Sequence, residues 1–166
     1  MSRASLHVLQ TCPFCWKVRG LIEHLGLDVD EVQVNAMRTK KELAFTNGWN
    51  KVPVFTDNGG EVVVDSTPIM MYIDEKYNSS GLSKNSGDER FDNMLAHIDE
   101  VWKRATIPIL YGSLGAALST TRKVSKLEKF GFFSRKLYAW AGFPIMWGII
   151  AKKSVKKDGR TTKKLW

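Results

Sequence analysis

Apolar residues follow two different spacings at the start of the chain. A short apolar run at Leu6–Gln10 and alternating apolar positions over Val29–Val34 predict two strands. Between them, from Pro13 to about Leu25, apolar residues recur every three or four positions, and this spacing predicts an amphipathic helix that ends at Gly26. The chain therefore begins with a predicted β-α-β unit.

The following segment predicts a polar helix, a hairpin and a third helix. The polar helix runs from Arg38 to about Phe45, and the third helix covers Ser66 to about Tyr77. Between them, the strands Val52–Phe55 and Val62–Val64 flank the turn sequence Asp57-Asn58-Gly59-Gly60, which is a strong hairpin signal. The order βαβ–α–ββα predicts a small mixed sheet with helices on both faces, in a domain covering residues 1–78.

The composition changes after the third predicted helix. Residues 79–87 are rich in Ser, Asn and Gly, so they predict a linker, followed by a helical region at 88–166 that opens with the capping box Ser86-x-x-Glu89. Within that region the residues Pro108, Gly112 and Gly115 interrupt an apolar stretch.

An uncharged segment, Leu137–Ala151, follows later in this region. As a helix it would span about 22 Å, less than the roughly 30 Å of a hydrocarbon core, and Pro144 would kink it, so a membrane-spanning anchor is disfavoured. Two readings stay open for this segment. It packs on the first domain, or it lies on an anionic membrane through its aromatic side chains and the basic tail beside it. The aromatic residues are Tyr138, Trp140, Phe143 and Trp147.

Charge is distributed unevenly along the 166 residues. Residues 1–80 carry 8 Lys and Arg against 10 Asp and Glu, whereas residues 81–166 carry 17 against 7. This asymmetry indicates that the second half faces phosphates, of lipid or of nucleic acid, although no nucleic-acid module accompanies it and specific nucleic-acid binding is not expected. The start of the chain has no apolar run typical of a signal peptide, so we expect a cytoplasmic, reducing setting with peripheral membrane contact left open.

The chain has two cysteines, Cys12 and Cys15, in the sequence TCPFCWKVR. A metal site needs about four ligands, and the three histidines lack ligand spacing, so no metal is expected. A cysteine between a strand and a helix lies where free N–H groups and the helix dipole stabilise a thiolate. The pair therefore predicts a reactive Cys12 and a resolving Cys15 one turn inside the helix, with Pro13 and Phe14 shaping the bend.

Two further segments fit a ligand beside the cysteine pair. Val52 precedes Pro53, and a cis-proline there would let Val52 offer its backbone to a peptide-like thiol substrate, although an edge-strand proline is the simpler reading. Asp65 and Ser66 stand at a helix start, where they cap the helix and are also able to hold an amino group and a carboxylate. A ligand with both groups and a thiol is glutathione.

Residues 6–77 resemble the thioredoxin-fold N-terminal domain shared by glutaredoxins and glutathione S-transferases, through TCPFCWKVR, NKVPVF and VVDSTPIMMYI. The resemblance is closest to the membrane-associated prostaglandin E synthase type 2 group. It continues through WKRATIPILYGSLGAALSTTRKVSKLEKFG and AKKSVKK into the first half of that group's helical domain. It implies a glutaredoxin-type α/β domain followed by a partial all-α region of glutathione-transferase type.

The resemblance also implies roles for individual residues. It implies Cys12 as nucleophile, Cys15 as resolving thiol, Val52 with Pro53, Asp65 and Ser66 as glutathione contacts, and Phe14 with Lys51 in the substrate pocket. Many glutaredoxins carry a lysine just before the cysteine motif, where this chain has Gln10 and Thr11. Stabilisation of a Cys12 thiolate would then depend on the helix start and on Lys17, Arg19 or Lys51.

These observations predict a glutathione- or dithiol-dependent thiol–disulfide oxidoreductase that acts on disulfide substrates. Two alternatives stay open: a transferase or isomerase that uses the thiol of glutathione on a lipid-like electrophile, and a non-catalytic redox-sensing or iron–sulfur module. The synthase group continues past the position of Trp166, so a pocket that needs those helices would be incomplete and prostaglandin isomerisation is not expected. A homodimer and a low-molecular-weight thiol other than glutathione also stay open.

Overall fold

The computed structural model describes residues 3–85, 87–102, 110–111 and 113–151. The chain divides into two compact units, Met1–Asn85 and Ser86–Trp166. The breaks predicted at Pro108 and Gly112, the capping residue Ser86 and the basic tail at 152–166 lie outside the described residues. Each unit is described by itself.

The first unit is built on a four-stranded sheet. Its strands are β1 (Ser5–Val8), β2 (Asp30–Gln33), β3 (Val54–Thr56) and β4 (Val62–Val64), in the order β2-β1-β3-β4. β1 and β2 are parallel, and the other neighbouring pairs are antiparallel. The sheet register pairs Leu6 with Phe55. This mixed sheet confirms the predicted order, and the strands begin and end within two residues of the predicted bounds.

Helices cover both faces of the sheet. On one face, α1 (Pro13–His24) and α3 (Ser66–Tyr77) pack on a core that includes Leu6, Val18 and Ile69. On the other face, α2 (Thr39–Glu42) and a 3₁₀ turn at Ala44–Thr46 accompany a smaller core of Val34, Leu43 and Val54. Because successive strand residues point to opposite faces, Val54 and Phe55 belong to different cores. The polar helix predicted to about Phe45 is therefore a shorter α-helix followed by a 3₁₀ turn.

Helix α1 ends as the sequence predicts. Gly26 has a φ of 62°, and its N–H donates to the Glu23 carbonyl at 3.1 Å, while the N–H of Leu27 donates to the Ile22 carbonyl at 3.0 Å. These two bonds form a Schellman motif, which requires the left-handed conformation that glycine adopts without strain. The motif sets the direction in which the chain leaves α1 towards β2.

The β3–β4 turn is anchored to α3 by a buried carboxylate. Asp57 is 1% exposed, and its oxygens accept hydrogen bonds from Lys76 and Tyr77 of α3. Burial acts to raise the pKa of Asp57, but the bonds from Lys76 and Tyr77 and from the turn backbone outweigh it and lower the pKa to about 2. The turn is therefore anchored by a charge-assisted contact as well as by strand pairing.

The described part of the predicted linker is hydrogen-bonded to the first unit. The carboxylate of Asp74, in α3, accepts from the N–H groups of Leu82 at 3.0 Å and Ser83 at 2.6 Å, and from the side chain of Asn78 at 2.6 Å. Residues up to Asn85 therefore belong to the first unit, and a 3₁₀ turn at Ser83–Asn85 closes it.

The described residues of the second unit are mostly helical. Helix α4 (Glu89–His97) continues as a π-helical turn at Ile98–Trp102. Its N-cap is Asp88, whose side chain accepts from the Arg90 N–H at 2.8 Å, in place of the predicted capping box. Helices α5 (Leu114–Leu127) and α6 (Phe132–Ile145) follow, with a π-helical turn at Met146–Ala151 after them.

Helices α5 and α6 pack together as a hairpin. The buried positions on α5 are Ala117, Thr121 and Ser125, which are four residues apart and small, so a neighbouring helix approaches closely. On α6, Tyr138 stacks on Phe130 with ring centroids 4.9 Å apart. Across the described ranges, no helix has both the length and the apolar character needed to span a bilayer.

Candidate active site

Cys12 lies at the start of α1, four residues after β1 ends. It is the N-cap residue of the helix, and its carbonyl accepts hydrogen bonds from the N–H groups of Cys15 at 3.1 Å and Trp16 at 3.2 Å. Pro13 occupies the first helical position, where its missing N–H would have no helical partner. Cys12 is half-buried and lies at the positive end of the helix dipole, which stabilises an anion.

Cys15 is the buried member of the pair. It has no exposed surface and packs in the core of the first unit, and neither cysteine forms a disulfide. The hydrogen bond between the Cys15 thiol and the Cys12 sulfur, followed by burial, raises the pKa of Cys15 well above its usual range. The charge of Arg19 acts in the opposite direction with a smaller effect. Cys15 therefore keeps its proton at neutral pH and donates it to the Cys12 sulfur.

The three cations expected near the thiolate have different partners. Arg19 forms two 2.6 Å contacts with Glu31 and lies 4.5 Å above the ring of Trp16. Lys17 donates to Thr67 of α3, and the exposed Lys51 has its ammonium group 5.5 Å from the ring centre of Trp49. Arg19 is therefore paired with Glu31, and the start of α1 is a stabilising feature for a Cys12 thiolate.

Val52 and Pro53 immediately precede β3. The peptide bond between them is cis. Val52 packs against the same core cluster as Cys12, and it also contacts the smaller core around Val54. Val52 and Cys12 therefore pack on one common core.

Asp65 and Ser66 form the start of α3. Asp65 is exposed, and its side chain accepts from the Ser66 N–H at 2.7 Å, so it caps the helix. Its φ of 73° and ψ of 146° lie in a region that is almost exclusive to glycine. Such a conformation costs about 1–3 kcal/mol for another residue and is concentrated at functional sites. A simple N-cap would not require it, because N-caps usually have extended backbone.

Ser66 has an unusual hydroxyl group. The residue is 1% exposed, and within the described part of the chain its Oγ atom has no hydrogen-bond partner. Buried polar groups are almost always paired, and each exception calls for an explanation. An oxygen or a carboxylate of a ligand at the start of α3 would supply the missing partner.

Thr67 and Trp49 are side chains at this site that the sequence analysis did not single out. The hydroxyl of Thr67 accepts a 2.9 Å bond from Lys17, which joins the cysteine helix to the start of α3. Trp49 lies beneath Lys51, and its indole Nε1 is buried without a partner in the described structure. The available signals were that Thr67 directly follows Ser66 and that Trp49 lies two residues before Lys51 in the sequence. Phe14, expected in a substrate pocket, is half-buried in the first turn of α1.

No group of three or more His, Cys, Asp or Glu residues that would hold a metal ion occurs among the residues described.

Residues 6–81 match the family model described as "Glutathione S-transferase, N-terminal domain". No curated protein sequence matches the chain at a significant level. Several solved structures are similar to it in fold.

A trimeric glutathione transferase from Leishmania is 17% identical, with a TM-score of 0.56 over 98% of this chain and 44% of that protein. Glutaredoxin 2 from Salmonella typhimurium, solved in complex with glutathione, is 16% identical, with a TM-score of 0.56 over 96% of this chain and 69% of that one. A glutathione S-transferase from Ceriporiopsis subvermispora, also in complex with glutathione, is 15% identical, with a TM-score of 0.54 over 96% of this chain and 76% of that one. The chain thus spans less than half of the Leishmania protein.

The match to the family model lies within the first unit. The sequence identities of the solved structures are low, so these structures show similarity of fold only. The sheet order and the helices on both faces agree with that match. The first unit of the chain therefore has a thioredoxin-like fold, and residues 6–81 within it are similar to the glutathione S-transferase N-terminal domain.

Proposed function

We propose that the protein is a glutathione-dependent thiol–disulfide oxidoreductase of glutaredoxin type, with Cys12 as the nucleophile and Cys15 as the resolving thiol. The observation that carries the proposal is the asymmetry of the pair. Cys12 is half-buried at a helix start that favours its thiolate, whereas Cys15 is buried and holds its proton against the Cys12 sulfur. Cys12 would thus attack the substrate first, and Cys15 would then attack the mixed disulfide that forms on Cys12.

In the first step, the Cys12 thiolate attacks one sulfur of a substrate disulfide. The substrate S–S bond breaks, a Cys12 mixed disulfide forms, and the departing thiolate takes a proton from solvent. The substrate gives up one of its two sulfurs as a thiol, and no other reactant is needed at this stage.

In the second step, Cys15 or glutathione resolves the mixed disulfide. Cys15 gives up its proton to solvent and attacks the Cys12 sulfur, and the second substrate sulfur leaves as a thiolate that takes up a proton. A Cys12–Cys15 disulfide remains. Two molecules of glutathione then reduce this disulfide and become glutathione disulfide. Overall, two glutathione thiols are oxidised and one substrate disulfide is reduced. If the mixed disulfide is with glutathione, a second glutathione thiol attacks it directly.

Glutathione would lie between Cys12 and the start of α3. The Val52 backbone would pair with its peptide bond, the Asp65 carboxylate with its amino group, and the unpartnered Ser66 hydroxyl with its γ-glutamyl carboxylate. Two of the structural neighbours were solved with glutathione. Phe14 and Lys51 would face the substrate side of this site.

Stopped-flow reduction of a glutathione mixed disulfide tests the proposal. We expect Cys12→Ser to abolish turnover and Cys15→Ser to retain part of it, because glutathione is able to replace Cys15 as the resolving thiol. Loss of turnover in both variants to the same extent would limit the protein to a dithiol route without glutathione. Full activity in Cys12→Ser would contradict the proposal.

The finer alternatives stay predictions. Conjugation of glutathione to an electrophile that survives both cysteine substitutions would favour a transferase of the prostaglandin E synthase type 2 kind. Visible absorption by freshly prepared anaerobic protein would favour an iron–sulfur module. A homodimer and a cytoplasmic setting likewise remain to be tested.

A further inference from the structure

The outer face of α6 is apolar, although it faces solvent. Phe133, Leu137 and Trp140 are 83%, 58% and 73% exposed, and their spacing of four and three residues places them in one stripe along the helix. A helix of a globular protein normally turns polar residues outward. An apolar stripe on the solvent-facing side of a helix is unfavourable in water, so it indicates a contact surface.

Basic side chains flank this stripe. A groove of about 370 Å³ between α5 and α6 is lined by four of them, together with Phe132 and Trp140. The basic residues are Arg122, Lys126, Arg135 and Lys136. The ammonium group of Lys136 lies 4.6 Å from the ring centre of Phe132.

The charge of this hairpin is almost entirely of one sign. Residues 113–151 hold six Lys and Arg and one acidic residue, Glu128, which is 6% exposed. The surface thus presents positive charge with little acidic compensation. The basic tail at 152–164 adds seven Lys and Arg against one Asp in the sequence.

We propose that this surface, the α5–α6 hairpin face formed by the apolar stripe and the four groove cations, docks on a bilayer that contains anionic lipids. Exposed aromatic and aliphatic side chains would enter the headgroup boundary, and the cations would contact lipid phosphates. This inference is independent of the thiol chemistry of the first unit.

A bilayer suits the surface better than other anionic partners. Aromatic side chains also stack on nucleic-acid bases, but aliphatic side chains do not, and Leu127, Leu137 and Ile145 are more than half exposed on the same hairpin. A second copy of this chain would bring the same positive surface against itself, which opposes association.

The structure also changes which aromatic residues are involved. Of the four that the sequence suggested, Trp140 is exposed. Tyr138 instead stacks on Phe130, and Trp147 packs with Tyr111 and Ala117 within the second unit. The side chain of Phe143 lies outside the described set. The proposed contact therefore consists of Trp140 together with Phe132, Phe133 and the cations of α5.

Sedimentation of the full chain with vesicles tests the proposal. We expect binding to phosphatidylcholine vesicles that contain phosphatidylserine at low salt, little binding to pure phosphatidylcholine, and release at high salt. Arg135→Gln with Lys136→Gln should weaken binding about 25-fold, since each basic group near an anionic surface contributes about fivefold. Lys40→Gln with Lys41→Gln removes two exposed charges from α2 in the first unit and should leave binding within about twofold.

A fluorescence measurement tests the apolar stripe with a substitution that should preserve the fold. Brominated lipids should quench part of the tryptophan emission of the wild type, and Trp140→Phe, which keeps an aromatic ring, should remove that quenched part. Equal binding to neutral vesicles, an equal effect of the Lys40 and Lys41 variant, or unchanged quenching in Trp140→Phe would each overturn the proposal. So would tighter binding of an oligonucleotide that is lost in the Arg135 and Lys136 variant, because it would assign the surface to nucleic acid.

Discussion

The ammonium group of Lys17 in α1 donates a 2.9 Å hydrogen bond to the hydroxyl of Thr67 in α3. Cys12 is the N-cap residue of α1, and Thr67 follows Asp65 and Ser66 directly. The bond therefore links the two parts of the candidate site, the nucleophile and the proposed ligand-binding helix start. It also fixes the position of a cation beside the start of α3.

Thr67→Val should weaken this link while keeping the shape of the side chain. Hydrogen bonds to charged groups contribute about 1.5–3 kcal/mol, and since this one is only partly buried we expect a loss of about 1 kcal/mol in the free energy of unfolding. Thr67→Ser, which keeps the hydroxyl, serves as the control. Urea unfolding measures both, and equal destabilisation by Val and Ser would show that the hydroxyl contributes nothing.

Ser66→Ala should separate ligand binding from stability. Because Ser66 Oγ has no partner in the described structure, we expect the free energy of unfolding to stay within about 0.5 kcal/mol of wild type. Glutathione binding should weaken by about 1.5–3 kcal/mol, the range for losing a hydrogen bond to a carboxylate. Calorimetry and urea unfolding on the same variant give the two values.

Asp65→Ala provides the contrast to Ser66→Ala. It removes the bond to the Ser66 N–H, so it should lower the free energy of unfolding by about 1 kcal/mol, as for other N-caps, and also weaken glutathione binding. Calorimetry measures the affinity of both variants. If neither Ser66→Ala nor Asp65→Ala changed the affinity for glutathione, the pair would be only the start of a helix.

Asp57 should make stability depend on pH in the acid range. Its pKa is lowered from an ordinary 3.8 to about 2 in the folded protein, so its stabilising effect is full above pH 3.8 and is lost as the pH falls through about 2. The shift corresponds to about 2 kcal/mol. We expect Asp57→Asn to lower the free energy of unfolding by about that amount at neutral pH, with the difference from wild type narrowing towards pH 2.

The matched control for Asp57 is Glu61→Gln in the same hairpin. Glu61 is exposed and accepts one bond from Tyr72, so its loss should change stability by less than about 1 kcal/mol at any pH. Urea unfolding of the three proteins at several pH values checks this. A constant difference between wild type and Asp57→Asn across the acid range would show that Asp57 titrates normally.

Local signals in the sequence were sufficient to predict the first unit. The spacing of apolar residues, Gly26 at a helix end and the Asp57–Gly60 turn each determine a short segment on physical grounds, and each is confirmed. The helix Ser66–Tyr77 has the predicted bounds. Cys12 likewise lies at a helix start because a strand and a proline-led helix flank it.

Contacts between distant segments were less accessible from the sequence. The bond between Lys17 and Thr67 joins residues fifty positions apart, and the pairing of Arg19 with Glu31 depends on where β2 passes α1. The sequence around Asp74 did not indicate that its carboxylate would accept hydrogen bonds from residues of the predicted linker. In the second unit, the sequence shows that aromatic residues are present but not which of them, such as Trp140 and Trp147, face outward.

The most direct measurement of the central claim is to locate the mixed disulfide formed with glutathione disulfide. Folded Cys15→Ser and Cys12→Ser proteins would be treated with glutathione disulfide at neutral pH, quenched with acid, digested and analysed by mass spectrometry. The same treatment of urea-unfolded Cys12→Ser protein is the control, since its Cys15 thiol is then accessible. We expect glutathione on Cys12 in the first variant, none on Cys15 in the folded second variant, and modification of Cys15 after unfolding. Glutathione on Cys15 of the folded protein, at a rate similar to that of Cys12, would contradict the assignment of Cys12 as the attacking thiol.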